Sequence, residues 1–289
     1  MSEKIDVVYI LRNTSKWQNN EIRYSLRSIE KNAKDIAGKV FLIGFCPKFI
    51  DTNELVHIVA NDPYANKLRN AIYKIKIACH DPRVSEKFML MNDDFFIMRK
   101  MEYVQNYSKG SLRHSEKRHR TKAGYYFKAI KETRKSLREI GIESPIDYET
   151  HTPIMIEKKK FIALENRFNM MGHAHLFRSV YCNVLGITGK DRRDVKIYWR
   201  DSADIEKIKK LDILSTDDKV VMDVQMQKFL KRRFSNPSKY EKGKVGIYRA
   251  TRMFTYSGRT YNSGDIIRIG DVPERLIAAA GLRLDSKMY

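Results

Sequence analysis

Hydrophobic and polar positions follow two rhythms over the first hundred residues. Ile5-Asp-Val-Val-Tyr-Ile-Leu11 and Lys39-Val-Phe-Leu-Ile-Gly-Phe45 are short β-branched and aromatic runs, the composition of strands buried on both faces. Between them Ile22, Leu26, Ile29 and Ala33 recur every three to four residues, which predicts a helix over 19–36. Leu55–Ala60 predicts a third strand, residues 66–79 a helix with Ala71, Ile72, Ile75 and Ala78 on one face, and residues 87–98 a fourth strand. Strand, helix, strand, strand, helix, strand is an α/β pattern. It implies a largely parallel sheet with covering helices.

The second half reads differently. Residues 109–140 and 152–187 are mostly helical in pattern, as are 216–234, where Met222, Met226 and Phe229 fall at helical spacing. Residues 234–243 are rich in chain breakers and predict a linker between a domain over 1–234 and a small β module over 244–289. In that module, short alternating runs are punctuated by Ser257-Gly258 and by Asn262-Ser263-Gly264-Asp265, and a short helix is predicted over 273–281. The module weakly resembles the SH3-like barrels attached to several bacteriophage proteins.

Charge changes the picture. The 289 residues carry 56 Lys and Arg against 35 Asp and Glu, a net charge of +21, with 42% hydrophobic residues. A chain of this length holds one large domain or one large and one small. Its three cysteines, Cys46, Cys79 and Cys182, show neither CxxC nor zinc spacing, which suits a reducing, cytoplasmic setting. No stretch reads as a membrane span, and the N-terminus does not read as a signal peptide.

The excess charge is spread along the chain except between Lys109 and Arg138, where eleven basic residues face only Glu116 and Glu132. One reading is a polyanion site in which Lys117, Arg118, Arg120 and Lys122 neutralise phosphates while nearby aromatics stack on bases. The other is a solvated helix face, with Phe127, Ile130, Leu137 and Ile140 turned inward.

Asn92-Asp93-Asp94 interrupts the apolar run at the end of the fourth strand. Ligands of open α/β sheets bind outside the carboxyl ends of strands. Adjacent carboxylates there can hold Mg²⁺ or Mn²⁺ against a diphosphate. The competing reading is a turn capped by Asp93.

The motif has company. Ile5–Tyr9, Asn20-Glu-Ile-Arg-Tyr-Ser-Leu-Arg-Ser-Ile-Glu-Lys31, Asn70-Ala-Ile72 and Phe88-Met-Leu-Met-Asn-Asp-Asp-Phe-Phe96 resemble the first blocks of the Stealth family of sugar-1-phosphate transferases. Thr150-His-Thr-Pro-Ile-Met-Ile156 resembles its third block. Asn166–Phe168 and Phe177–Gly186 resemble the family's segments beyond that block, so that the resemblance spans about residues 4–190. It departs after the first strand, where only Asn13 of Leu11-Arg12-Asn13-Thr14 matches.

The resemblance implies a GT-A-like sheet, a nucleotide-diphosphate sugar as donor, and transfer of the sugar or its 1-phosphate to a hydroxyl. Asp93 and Asp94 would hold the divalent cation, and His151 would be the base, since an imidazole titrates near neutral pH. Arg23, Arg27 and Arg167 would grip donor phosphates. Asn13, Asn70 and Asn92 would complete the donor site. On the residues alone, His151 is a loop histidine, Arg23 and Arg27 share a solvated helix face, and His173 and His175 are structural or acceptor-side.

Paired carboxylates at a strand end would repel phosphate. They therefore favour an enzyme over a non-enzymatic nucleic-acid-binding protein, and make the positive charge a statement about the acceptor. DNA bearing a hydroxylated base is the preferred polyanion, with a capsular or teichoic glycan or a virion protein as alternatives. Nothing in the pattern sets the sugar or the oligomeric state.

Overall fold

The computed structural model describes residues 4–121, 124–191, 194–198, 204–242, 244–256, 259–272 and 281–284. Strand β1 (Ile5–Leu11) leads into helix α1 (Asn20–Asn32), then β2 (Ala37–Gly44), β3 (Val56–Ile58), α2 (Lys67–His80) and β4 (Lys87–Asn92). Short strands β5 (Phe95–Ile97) and β6 (Tyr107–Ser108) precede helices α3 (Leu112–His119) and α4 (Tyr125–Glu139). Strand β7 (Ile154–Glu157), helices α5 (Lys158–Phe168), α6 (Met170–His173) and α7 (Phe177–Val184), and strands β8 (Lys190–Asp191) and β9 (Lys196–Ile197) come next. Helix α8 (Ile205–Lys209), strand β10 (Ile213–Thr216) and helix α9 (Val224–Arg233) complete the larger part.

The central sheet has the order β3-β2-β1-β4-β7, with β7 antiparallel and the other four parallel. Alternate residues of each strand feed different cores. Val7, Tyr9, Leu42 and Met89 pack with Ile22, Leu26 and Ile29 of α1. Val8, Phe41, Ile43 and Leu90 pack with Ile72 and Ile75 of α2 and with Phe161 and Tyr181. Burial on both faces explains why these strands read as unbroken apolar runs.

The winding of the sheet reverses at β1. The α1 crossover carries the chain to β2 on one side, and the α2 crossover brings it back to β4 on the other. The carboxyl ends of β1 and β4, where Ile10 pairs with Asn92, therefore form the crevice in which open α/β sheets bind ligands.

Residues 87–98 contain the expected fourth strand, which ends at Asn92; beyond the polar Asp93-Asp94 pair the chain leaves the central sheet and β5 joins a second sheet of order β5-β10-β9. Other expectations need correcting. The segment 152–187 begins with a strand, whose Ile154 and Ile156 face a core while Met155 and Glu157 stay half-buried, a period of two too short to read against the helices beyond. In α4 the buried stripe is Ala129, Ile130, Thr133 and Leu137, whereas Phe127 is half-buried and Ile140 exposed; in the last stretch Met226 is buried, Phe229 half-buried and Met222 exposed.

The expected linker segment is held by packing and backbone hydrogen bonds. Ser238, Tyr240 and Glu241 are buried, Asp51 N donates to Tyr240 O at 2.9 Å, and Lys242 N donates to Phe49 O at 2.7 Å. Beyond it, β11 (Lys244–Ala250), β12 (Phe254–Tyr256), β13 (Arg259–Tyr261), β14 (Ile266–Val272) and β15 (Leu282–Leu284) form a sheet of order β14-β11-β15 and a hairpin. Gly264 takes φ +96° in the expected Asn262–Asp265 turn, a conformation that suits glycine. Ser257, Gly258 and residues 273–280 of the helix predicted over 273–281 lie outside the described residues, as does Lys122. Among the described residues no helix is long and apolar enough to cross a membrane.

Candidate active site

A cleft of about 2110 Å³ opens over the carboxyl ends of β1 and β4. Its floor carries Asn92, Asp93 and Asp94, placed there because β4 ends where the apolar run does. Asp94 Oδ2 accepts from Lys196 Nζ at 3.2 Å and from Ser215 Oγ at 2.7 Å. Burial, then the negative charges of Asp94 and Glu21, push the Asp93 carboxyl well above the usual carboxylate range, and Lys196 only partly offsets them. Glu21 is raised for the same leading reason, burial, although Ser15 Oγ donates to it at 2.7 Å. The floor is thus short of positive charge.

His151, on the loop before β7, also lines the cleft. Its Nδ1 lies 2.7 Å from Asp194 Oδ2, and its backbone N donates to Asp194 Oδ1 at 3.1 Å. That pairing assigns the proton to Nδ1 and leaves Nε2 as the basic nitrogen. Lys109 Nζ stands 3.7 Å from the same Asp194 oxygen. Burial works to raise Asp194, but the hydrogen bond and charge of His151, with Lys109, hold its carboxyl far below the usual range. The Phe95 ring meets the imidazole edge-on at 6.5 Å, fixing its tilt.

Arg178 of α7 also reaches the cleft. It is buried, donates through Nη1 to Thr152 O at 2.6 Å, and lies over the rings of Phe95 and Phe177. Burial lowers its pKa, against the opposing pull of Glu149, Asp194 and Asp94. A buried, charged guanidinium lining the cleft is placed to meet an anion.

The remaining expected residues are distributed unevenly. Asn70 lines the cleft wall, but its Oδ1 accepts from Tyr64 N at 2.9 Å and its Nδ2 donates to Tyr64 O at 2.6 Å, so both amide atoms brace the loop before α2. Arg118 lines the cleft; Lys117 and Arg120 are exposed beside it and are not among its lining residues. Asn13 is exposed on the loop after β1, where Arg12 and Thr14 line the cleft.

Arg23 and Arg27 do not face the cleft. Arg23 Nη1 meets Glu241 Oε2 at 2.8 Å, while Arg27 Nε and Nη2 meet Glu241 Oε1 and Oε2 at 2.7 Å each. Arg167 is exposed at the end of α5 against the Phe168 ring, outside the cleft lining. His175 is buried, with Nε2 3.0 Å from Ser136 Oγ, and His173 is exposed.

Asp194, Lys196, Arg178 and Ser215 were not singled out in the sequence. Arg178 had a signal, because it sits within the Phe177–Gly186 block. Asp194 lies in irregular chain and Lys196 opens a two-residue strand too short to show a period, so only their alternation, two apart, marks a shared face.

Two adjacent carboxylates on a floor short of positive charge are an oxygen donor set that suits Mg²⁺ or Mn²⁺. Among the described residues no group of three or more His, Cys, Asp or Glu side chains gathers as metal ligands. A cation there would complete its shell from substrate phosphate and water, as Mg²⁺ commonly does.

No known family profile matches the chain, and no curated protein matches it in sequence. Similar solved structures include the galactosyltransferase LgtC in complex with donor and acceptor sugar analogues, at 9% identity and a TM-score of 0.46 over 79% of this chain and 96% of that one. A glycosyltransferase involved in glycosylation of the major capsid of PBCV-1 matches at 9% identity and 0.38 over 79% and 99% of the two chains. The glycosyltransferase GlyE of Streptococcus pneumoniae matches at 12% identity and 0.37 over 86% and 68%.

Proposed function

We propose that the chain is a nucleotide-sugar-dependent transferase that moves a glycosyl or glycosyl-1-phosphate group onto an acceptor hydroxyl. The observation that carries this reading is the cleft itself. An acidic pair at the strand ends, suited to a cation–diphosphate, shares the cleft with a histidine oriented by a half-buried carboxylate.

The geometry supports the following roles. Asp93 and Asp94 would hold the divalent cation, which when bound offsets negative charge on the departing phosphate. Arg178 draws the donor's phosphates toward the floor. His151 Nε2 takes the acceptor hydroxyl proton as the new oxygen bond forms, and Asp194 stabilises the imidazolium that results. Asn70 keeps the loop before α2 in place. The likeness of Phe88–Phe96 and Thr150–Ile156 to Stealth blocks supports the 1-phosphate form of the transfer.

The acceptor we infer is anionic. Arg118 and His119 of α3 line the cleft, as does Tyr125, which is 50% exposed, so a guanidinium, an imidazole and a phenol ring stand at its edge. DNA fits this edge through its phosphates and its bases.

Thermal unfolding in the presence of UDP-, GDP-, ADP- and CDP-sugars, each with and without Mn²⁺, tests the reading, because a ligand of the folded state stabilises it by RT ln(1+[L]/Kd). Stabilisation by one nucleotide class, enhanced by Mn²⁺, is the expected result. Absence of stabilisation by every donor at millimolar concentration rejects it.

A further inference from the structure

Asp94 does not wait for a metal with its charge unopposed. Its Oδ2 is held by Lys196 Nζ at 3.2 Å and by Ser215 Oγ at 2.7 Å, and Ser215 and Lys196 are direct register partners on β10 and β9. The carboxylate stands one residue before β5, the third strand of that same sheet. A single small sheet therefore sets both the acid and the two donors that occupy it. The ammonium and the carboxylate are both largely buried, with side-chain exposures of 19% and 17%.

A divalent cation on Asp94 would stand beside a lysine ammonium in a largely buried pocket, where like charges are poorly screened. The two cannot share the carboxylate at contact distance without strong repulsion. A diphosphate changes this balance, because it offers the displaced ammonium a new anion within reach of its flexible stem. The backbone of β9 need not move.

We propose that Lys196 is an internal cation that holds Asp94 in the donor-free protein and hands it over when a divalent cation arrives together with a nucleoside diphosphate. The exchange makes the two ligands mutually dependent: each binds weakly alone and tightly with the other. It deepens the transferase reading, on which the diphosphate rests, while the competition between lysine and metal rests on the contacts of Asp94 alone.

Titration of Mn²⁺ by electron paramagnetic resonance, without and with UDP or GDP, tests it in the full chain. Wild type is expected to bind Mn²⁺ weakly alone and at least tenfold more tightly with the nucleotide, beyond the affinity of Mn²⁺ for the nucleotide itself. Lys196→Met should bind Mn²⁺ alone about tenfold more tightly than wild type and lose most of the dependence on nucleotide. Lys196→Arg should keep the wild-type pattern. Lys196→Gln, which retains a hydrogen bond to Asp94 without the charge, repeats the Lys196→Met readout should that variant fail to fold by circular dichroism.

Equal Mn²⁺ affinity in wild type and the uncharged variants overturns the exchange, even if nucleotide binding upholds the transferase reading. Conversely, tighter Mn²⁺ binding in Lys196→Met, abolished by adding Asp94→Asn, sustains the competition even if no nucleotide binds and the transferase reading falls.

Discussion

Two charge clusters lie on either side of α1, and they are built on opposite terms. At the clamp, both oxygens of Glu241 are engaged by Arg27, one also by Arg23, and Ser238 donates to Oε1 through its N at 2.9 Å and its Oγ at 3.1 Å. Glu241 is 1% exposed, and the two guanidiniums hold its carboxyl below the usual range although burial alone would raise it. In the cleft, the negative charges of Asp93, Asp94 and Glu21 are met at contact distance by Lys196, with Arg178 and Lys74 acting at longer range, and Asp93 is raised instead. Charges committed to one another bind the chain to itself, whereas charges left in surplus can bind something else. The contrast separates arginines engaged within the fold from the carboxylates proposed as the donor site.

The largest effect should come from breaking the cleft without touching the clamp. His151→Ala should lower turnover by on the order of 10²–10⁴ while leaving donor affinity nearly unchanged, as loss of a general base does. Initial rates and calorimetric donor affinity check both halves. Asp194→Asn should cost a smaller share of the same rate, because the ring loses the carboxylate that fixes its tautomer. A rate within a few-fold of wild type in both variants would remove His151 from the chemistry.

Breaking the clamp should do the reverse. Glu241→Ala takes the carboxylate from two guanidiniums, one of them 8% exposed, and removal of one partner from a buried pair costs roughly 3–5 kcal/mol. Urea unfolding should show the loss, with donor affinity unchanged in the molecules that remain folded. A fall in donor affinity with no loss of stability would return Arg23 and Arg27 to the donor site.

The sheet was legible because its physics is local. Strands buried on both faces leave apolar runs, and the α1 and α2 stripes repeat every three to four residues, so β1, α1, β2, β3, α2 and β4 appeared near their observed bounds. Half of the site was legible for the same reason: Asp93 and Asp94 stand out where a buried strand ends. The other half depends on pairings far apart in the chain. His151 and Asp194 are separated by 43 residues, and Lys196 and Asp94 by 102. Likewise, Glu241 of the expected linker lies 214 residues from Arg27, and without that partner Arg23 and Arg27 read as phosphate ligands.

His175 tests whether a buried titratable group outside the cleft behaves as part of the packing. Burial, then the neighbouring His173, lowers its pKa from 6.5 to about 4. The unfolded chain therefore binds the proton more readily than the folded one. Its stability contribution is complete above pH 6.5 and is lost as pH falls toward 4, by roughly 3 kcal/mol at most. His175→Gln should flatten that acid limb in urea titrations between pH 4 and 7, at some cost in stability at neutral pH. An unchanged limb would mean that the ring is protonated without penalty and that its burial is not what the packing enforces.

The smallest effect concerns the basic face of α3, where the choice between ligand-facing and solvated charge is most evenly balanced. Arg134 pairs with Glu116 at 3.0 Å and Arg138 with Glu143 at 3.4 Å, so part of the local excess is neutralised within the fold, as in the clamp. Arg118 lines the cleft, with Lys117 and Arg120 exposed nearby. If these three touch phosphates, each should contribute about 0.9 to the slope of log affinity against log salt for duplex DNA. Replacing Lys117, Arg118 and Arg120 with Ser should then flatten the slope by about two to three units and leave donor affinity alone. Replacing Arg118 singly should take about one unit and also raise the KM for the acceptor, since it alone of the three stands in the cleft. An unchanged salt slope, or no DNA binding by wild type near 100 mM salt, would make this face a solvated one and move the acceptor to an anionic glycan or a protein surface.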